Sequence, residues 1–125
     1  MKQIMKHILP CGDHYRLVDS KDIAYITACQ NYTKIYLMDK TMVLCNMSLT
    51  AMIESLESTF IQTHKSYAVN LLALEKCYKN GTLFLVNDIQ VPISRRKYQD
   101  IIIKWKELYS DVIEDKAKLT VHHRD

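Results

Sequence analysis

Apolar and polar residues alternate in short runs along most of this chain, which is the pattern of half-buried β-strands. Ile8–Leu9 and Tyr15–Val18 flank the turn-like tripeptide Cys11–Gly12–Asp13, so the chain is predicted to open with a β-hairpin. Further strand-like runs follow at residues 23–28, 35–38 and 41–45, with Asp39–Lys40 as a turn between the last two. The first part of the chain is therefore predicted to form a series of short strands.

The hydrophobic period changes twice to that of an amphipathic helix. Leu49, Met52, Ile53 and Leu56 follow the spacing i, i+3, i+4 and i+7, and the Ser48 hydroxyl is placed to cap the first turn. A second helix is predicted after its candidate cap Ser94, with an apolar face made of Tyr98, Ile101, Ile102, Trp105 and Leu108 or Tyr109. The pattern thus predicts one short internal helix and one C-terminal helix.

Strands return between the two helices. The runs at 60–63 and 67–74 lead to a hairpin across Asn80–Gly81, a dipeptide suited to a type I′ turn because both central residues need positive φ. Asn87–Asp88 then turns the chain into a last strand. Pro92 lacks the N–H that a central strand would need, so this last strand is predicted to lie at an edge or to end there.

Length and composition indicate one ordinary globular domain. With 125 residues, 48% of them hydrophobic and 25% charged, the chain is large enough to fold around its own core. We predict a mainly β domain over residues 1–109 and a charged helical extension or tail over residues 110–125. No apolar run reaches the ~18 residues of a membrane-spanning helix, and the first residues lack the apolar stretch of a secretory signal. We therefore expect a cytoplasmic protein without membrane contact.

The sequence lacks the common motifs for catalysis, metal binding and cofactor binding. The four cysteines form no CxxC pair and there is no HExxH motif, so we expect no zinc site. The two glycines lie far apart, which leaves no Gly-rich phosphate loop, and no GxSxG nucleophile motif is present. We therefore expect a protein that is not an enzyme and uses no cofactor, metal or small-molecule substrate.

Positive charge is concentrated in the main domain. Residues 1–106 carry 14 Lys and Arg against 9 Asp and Glu, whereas residues 107–125 carry 3 against 5. At the predicted C-terminal helix Asp100 is opposed by five cations, namely Arg95, Arg96, Lys97, Lys104 and Lys106. A basic patch of this kind suits a polyanion, although a solvated helix face would carry the same charges.

Three polar segments stand at junctions between the predicted elements. They are Gln30–Lys34, Thr63–Tyr67 and Ser94–Tyr98. Each mixes cationic groups with hydroxyls or amides, the combination that binds phosphate oxygens and base edges in DNA. Arginine can also pair with guanine through two hydrogen bonds. Any one segment could be an ordinary loop, but the three together favour an interface with nucleic acid.

These segments and the residues around them resemble the LytTR family of DNA-binding domains. Residues 60–77 resemble the family's His-Arg-Ser-Tyr/Phe-x-Val-Asn segment, with Lys65 where arginine is common. Residues 91–101 resemble the closing Ile-Pro-Val/Ile-Ser-Arg-x-Tyr motif, with one more residue between arginine and tyrosine. Residues 22–37 resemble the family's Ile-x-Tyr-Ile-x-Ala-x-x-Asn-Tyr segment. The resemblance runs in order from about Ile8 to Trp105.

The resemblance implies an elongated, mostly antiparallel β fold of small sheets, whose loops enter successive major grooves of duplex DNA. It implies that Arg95, or Arg96 if that is the family's arginine, reads bases in one major groove. A second major-groove contact is implied for the first segment, through Asn31, Thr33 or Lys34. Lys65 is placed toward the intervening minor groove or its phosphates. The candidates for contacts to the DNA backbone are Ser66, Ser94, Lys97 and Tyr98.

His64 and Asn70 each allow two interpretations. His64 could touch a phosphate or could hold the turn between two strands through a hydrogen bond. Asn70 ends an apolar run, so a backbone cap is favoured over a DNA contact.

Members of the family are usually the output halves of bacterial two-component response regulators. The resemblance therefore implies a transcription regulator that binds direct repeats in promoters, as a homodimer or side by side on DNA. The chain has no room for a receiver domain, so it is either an effector domain or a free-standing regulator. The alternative is a protein-interaction or oligomerisation module that has kept the fold and lost DNA binding. The acidic C-terminal segment and Lys65 would suit that alternative.

Overall fold

The computed structural model describes residues 5–110. Apart from Ser110, the predicted extension over residues 110–125 lies outside the described residues.

The described residues form short strands and two α-helices. The strands are β1 (Lys6–Pro10), β2 (Tyr15–Asp19), β3 (Ile23–Cys29), β4 (Tyr32–Leu37), β5 (Met42–Cys45), β6 (Phe60–His64), β7 (Tyr67–Asn70), β8 (Leu74–Cys77), β9 (Leu83–Leu85) and β10 (Gln90–Val91). The helices are α1 (Leu49–Ser55) and α2 (Tyr98–Leu108). The predicted mainly β fold with one internal and one C-terminal helix is confirmed.

The strands pair into three antiparallel sheets. β1 and β2 form the predicted opening hairpin, the central sheet has the order β5-β4-β3-β7-β6, and the third has the order β10-β9-β8. β10 ends before Pro92 and lies at an edge, as its missing N–H predicted. Successive side chains of a strand point to opposite faces, so the central sheet can bury both faces.

Two apolar clusters use the two faces of the central sheet. Ala68 belongs to the first cluster, which joins the sheet to α1 and to the opening hairpin. Its neighbour Val69 belongs to the second, which joins the sheet to β8, β9 and α2 through side chains such as Leu83 and Ile101. Burying one such aliphatic side chain contributes about 1.5–3 kcal/mol. The clusters therefore fix the other elements on opposite faces of one central sheet.

The two helices begin in different ways. Ser48 caps α1 as predicted, because its Oγ accepts a hydrogen bond from the Ala51 N–H at 3.2 Å. Ser94 instead precedes a 3-10 turn, Arg95–Lys97, and its side chain makes no capping bond. α2 starts only after that turn, so the prediction of a Ser94 side-chain cap is wrong. The predicted apolar face of α2 is confirmed by the burial or packing of Ile101, Trp105 and Leu108.

The Asn80–Gly81 turn differs from its predicted type. In the β8–β9 loop only Gly81 is left-handed, with φ 92°, and its N–H donates to the Tyr78 carbonyl at 2.9 Å. This is a tight turn followed by a left-handed glycine and not the predicted type I′ turn. The Asn80 side chain accepts the Thr82 N–H at 3.0 Å, an Asx turn that replaces the second left-handed residue. Asn87 and Asp88 have φ 63° and 59°, so the pair with two positive φ values lies there.

Asn70 divides the predicted strand 67–74 into two. β7 ends at Asn70, and a 3-10 turn over Leu71–Ala73 precedes β8. The Asn70 Oδ1 accepts the Leu72 N–H at 3.0 Å, which satisfies a backbone donor that a continuous strand would have paired elsewhere. The prediction that Asn70 caps the backbone is confirmed, and the prediction of one long strand is wrong.

Candidate nucleic-acid interface

The first polar segment is a tight turn followed by a strand. β3 ends at Cys29, β4 begins at Tyr32, and Gln30, with φ 56°, closes the turn between them. Cys29 pairs directly with Tyr32, so antiparallel pairing continues to the base of the turn. The predicted polar connection as far as Lys34 is therefore wrong, and Lys34 lies within β4.

The strand alternation separates Thr33 from Lys34. Thr33 is fully buried, and its Oγ1 has no hydrogen-bond partner among the described residues. Lys34 points to the opposite face of the sheet and is half-buried. Of the two candidates for a contact in this strand, only Lys34 lies where a ligand can reach it.

The second polar segment lies beside the first. Thr27 of β3 pairs with Tyr67 at the start of β7, and the Ala28 N–H donates to the Ser66 carbonyl at 2.8 Å. The β3–β4 and β6–β7 turns therefore share one end of the central sheet.

The third polar segment joins the same end from the other side. The Ser94 N–H donates to the Thr63 carbonyl at 2.7 Å, which attaches the chain before α2 to the outer edge strand β6. The sheet order β4-β3-β7-β6 then places the three segments side by side. We call this arrangement of residues 30–34, 63–67 and 94–98 the cationic row.

Most predicted site residues are accessible in the cationic row. The exposed ones are Asn31, Lys65, Arg95 and Arg96. The half-buried ones are Lys34, His64, Ser66, Ser94, Lys97 and Tyr98. Only Thr33 is withdrawn into the core.

The charge of the cationic row is uncompensated within the described residues. Its three segments contain five cations and no carboxylate, and these cations are Lys34, Lys65, Arg95, Arg96 and Lys97. None of them takes part in an ion pair between described residues, where the pairs involve other lysines and histidines. Free cations gathered on one edge produce a local positive potential that attracts a polyanion.

His64 shapes the turn that presents Lys65. The His64 Nδ1 accepts the Ser66 N–H at 3.3 Å, and its ring meets the Tyr67 ring edge-on at 6.0 Å. The Gln62 side chain also donates to the Lys65 carbonyl at 3.1 Å. These contacts support the structural interpretation of His64 and leave the Lys65 ammonium exposed at the tip.

Tyr98 adds a hydrogen-bond donor at the start of α2. Loss of solvation, with a contribution from the neighbouring Cys77, raises the pKa of Tyr98. Its hydroxyl therefore remains protonated at neutral pH and adds no negative charge to the row.

Residues 5–110 contain no cluster of three or more His, Cys, Asp or Glu side chains able to hold a metal ion. Burial raises the pKa of the Cys45 thiol to about 11, so the thiolate form is scarce at neutral pH. No helix in residues 5–110 is both long enough and apolar enough to cross a membrane.

Comparison with known proteins agrees with the fold. The family model of the LytTr DNA-binding domain matches residues 13–106, which include all three segments of the row. The structure is similar, with a TM-score of 0.65, to the LytTr DNA-binding domain of a protein from Bacillus cereus described as a methyl-accepting/DNA response regulator. That similarity has 22% sequence identity and covers 81% of this chain and 95% of the other, which shows a shared fold. No curated protein matches the sequence. The chain belongs to the LytTR family of DNA-binding domains.

Proposed function

We propose that this chain is a sequence-specific transcription regulator that binds double-stranded DNA through the cationic row. The supporting observation is the meeting of three separate polar segments at one end of the central sheet, where five cations form no ion pair with another described residue. Cations neutralise phosphates, while arginine and amide side chains read base edges. A row that contains both kinds of group can position a duplex and read it.

The two ends of the row have different roles in this proposal. Arg95, or its neighbour Arg96, reads a guanine in one major groove, because either guanidinium is exposed beyond the edge strand. Asn31 and Lys34 contact the next major groove from the β3–β4 turn and its strand. Lys65, at the exposed tip between them, neutralises phosphates along the intervening minor groove. The half-buried hydroxyls of Ser66, Ser94 and Tyr98 and the Lys97 ammonium hold the backbone.

The size of the interface argues for binding in pairs. Five phosphate contacts would give a log–log salt slope of about −4.5, at −0.9 per contact. A single small module buries only roughly 600–1,000 Å² on DNA. Useful specificity therefore requires two copies on repeated half-sites, either as a homodimer or side by side. In this role the domain would be the output half of a bacterial two-component regulator working in the cytoplasm.

A protein-interaction module is the second candidate, and one observation favours it. The outer face of the β1–β2 hairpin exposes apolar side chains, with Ile8 69%, Tyr15 75% and Leu17 61% accessible. Exposed apolar patches of this kind commonly mark contact surfaces. The uncompensated cationic row nevertheless favours DNA binding as the main activity.

Hydroxyl-radical footprinting on duplexes selected from a random library tests the proposal. We expect protection on one face of the duplex in two patches about 10 base pairs apart, which is the spacing of successive major grooves. Uniform protection, or selection of no common sequence, would contradict specific binding by the row.

Lys65→Gln is expected to weaken binding to preferred and random duplexes by the same factor. The exposed ammonium of Lys65 neutralises phosphate and reads no base, so the salt slope should become shallower by about 0.9. Anisotropy titrations at several salt concentrations measure both effects. Lys40→Gln is the matched control, because Lys40 lies in the β4–β5 turn at the opposite end of the central sheet. A loss confined to the preferred duplex would mean that Lys65 reads sequence.

Thr33→Val is expected to leave DNA affinity unchanged and to keep or slightly raise the free energy of unfolding. The buried Thr33 hydroxyl has no partner among the described residues, so removing it leaves no donor or acceptor unpaired. Lys34→Ala, one residue along the same strand, should instead weaken binding several-fold. Thermal melting and anisotropy titration of both variants provide the comparison. Equal losses of DNA affinity in Thr33→Val and Lys34→Ala would mean that Thr33 contacts DNA.

A further inference from the structure

A groove that basic and neutral side chains of residues 5–110 line continues from Arg95 along α2. It consists of two adjoining hollows of about 680 and 610 Å³ between the β8–β9 loop and the helix. Lys79, Tyr98 and Gln99 line both hollows, Arg95 lines the first, and Lys106 lines the second. No carboxylate from the described part of the chain lines either one. The groove is therefore a positively charged continuation of the cationic row.

The walls of the groove are held in place by local contacts. A hydrogen bond from the Tyr78 N–H to the Thr82 carbonyl, 2.9 Å long, joins the two ends of the β8–β9 loop, and Gly81 closes the turn. On the other wall Cys77 at the end of β8 and Tyr98 at the start of α2 both line the second hollow. Lys79 therefore belongs to the loop wall and Lys106 to the helix wall.

The shape and charge of the groove favour a chain of phosphates over one ion. Its cations are spread along its length, with Arg95 on the first hollow, Lys79 on both and Lys106 on the second, and the amide of Gln99 and the hydroxyl of Tyr98 accompany them. A sugar-phosphate backbone presents negative charge at regular intervals and hydrogen-bonds such groups. The groove also begins at the arginine proposed to read bases, so one duplex can occupy both.

We propose that this groove holds the sugar-phosphate backbone of DNA that flanks the base pairs read at Arg95, with Lys79 and Lys106 neutralising its phosphates. This inference rests on the proposed function, and it extends the footprint beyond the three segments of the row. Flanking DNA on the Arg95 side then adds affinity without adding sequence preference.

Lys104 and Lys106 provide a matched pair on one helix. Both are exposed, and they lie two positions apart on α2. Lys104 instead lines a separate hollow with Ser58 and Glu107. A charge removed at Lys104 changes the net charge and the helix as much as one removed at Lys106, but it leaves the groove intact.

The test compares two duplexes, one trimmed to the core site and one extended on the Arg95 side. Lys79→Ala/Lys106→Ala should lose the affinity that wild type gains from the extension and should bind the trimmed duplex as wild type does. On the extended duplex, raising the salt from 50 to 200 mM should weaken wild-type binding about 12-fold more than binding by the double variant. This difference corresponds to two phosphate contacts, each of which contributes −0.9 to the log–log salt slope. Lys104→Ala should behave as wild type on both duplexes. Thermal melting checks that all variants fold equally.

Several results would overturn the inference. A double variant that keeps the gain from the extension would show that the groove does not hold flanking DNA. An equal loss on the trimmed duplex would assign Lys79 and Lys106 to the core interface. Tighter binding by the double variant would indicate that the groove holds the acidic segment 111–125. If wild type bound neither duplex, the proposed function itself would fail, whereas binding without any gain from the extension would contradict this inference alone.

Discussion

Asn70→Ala is expected to lower the free energy of unfolding by about 2–4 kcal/mol, the largest effect that we predict for a polar residue. The Asn70 side chain is fully buried. Its Nδ2 donates to the carbonyls of Ser20 and Ile23 at 3.3 and 3.0 Å, and its Oδ1 accepts the Leu72 N–H at 3.0 Å. Alanine would remove this partner from the Ile23 carbonyl and the Leu72 N–H, whereas the Ser20 carbonyl keeps the Ile23 N–H, and each group left unsatisfied in the interior costs about 1–3 kcal/mol.

Urea denaturation of the wild type and the variant measures this difference. Asn80→Ala is the control, because Asn80 also accepts a backbone N–H two residues on, but from an exposed turn where water can replace it. We expect a loss of less than about 1 kcal/mol for that control. Equal losses in the two variants would mean that burial of the Asn70 network contributes nothing beyond a local turn.

Arg95→Ala is expected to reduce affinity for the preferred duplex by about 1–3 kcal/mol, which is roughly 5- to 150-fold, and to relax specificity at one base pair. The exposed guanidinium at the end of the cationic row can donate two hydrogen bonds to guanine, and alanine can make neither. Affinity for random duplexes should fall much less, since only one phosphate-neutralising charge is lost.

Titration of the variant against duplexes with single base-pair changes separates these effects. One position should lose its preference while the others keep theirs. Arg96→Ala is measured in parallel, because Arg96 is the alternative reader at the neighbouring exposed position. A uniform loss of affinity across all duplexes for both variants would place both arginines on the DNA backbone and contradict a base-reading role.

Much of the fold could be predicted from the sequence because the signals were local. The helical spacing of Leu49 to Leu56 and the Ser48 cap predicted α1, and Pro92 predicted the edge position of β10. Errors arose where a side chain competed with the backbone pattern. Asn70 ended a strand within an apolar run because its side chain caps the next turn. The Asn80 side chain accepts a backbone N–H, and this turn forms without the positive φ at Asn80 that the Asn-Gly dipeptide predicted.

The three polar segments of the candidate site could be predicted from the sequence, but their position side by side could not. Each segment showed its cations and hydroxyls in the sequence, but their meeting depends on the Ala28–Ser66 and Ser94–Thr63 hydrogen bonds between distant residues. The burial of Thr33 follows from strand alternation, which the polar composition of its segment concealed. Lys79 and Lys106 lie far apart in sequence, and no motif links them to Arg95.

The central claim is that the cationic row binds particular DNA sequences. Fluorescence-anisotropy titration of the folded chain against a pool of duplexes, repeated at two salt concentrations, tests it most directly, with Arg95→Ala/Arg96→Ala as the comparison. We predict binding that weakens steeply with salt, favours some duplexes over others and loses that preference in the double variant. Absence of binding at low salt by folded protein, or binding that the double substitution leaves unchanged, would contradict the claim and favour the protein-interaction module.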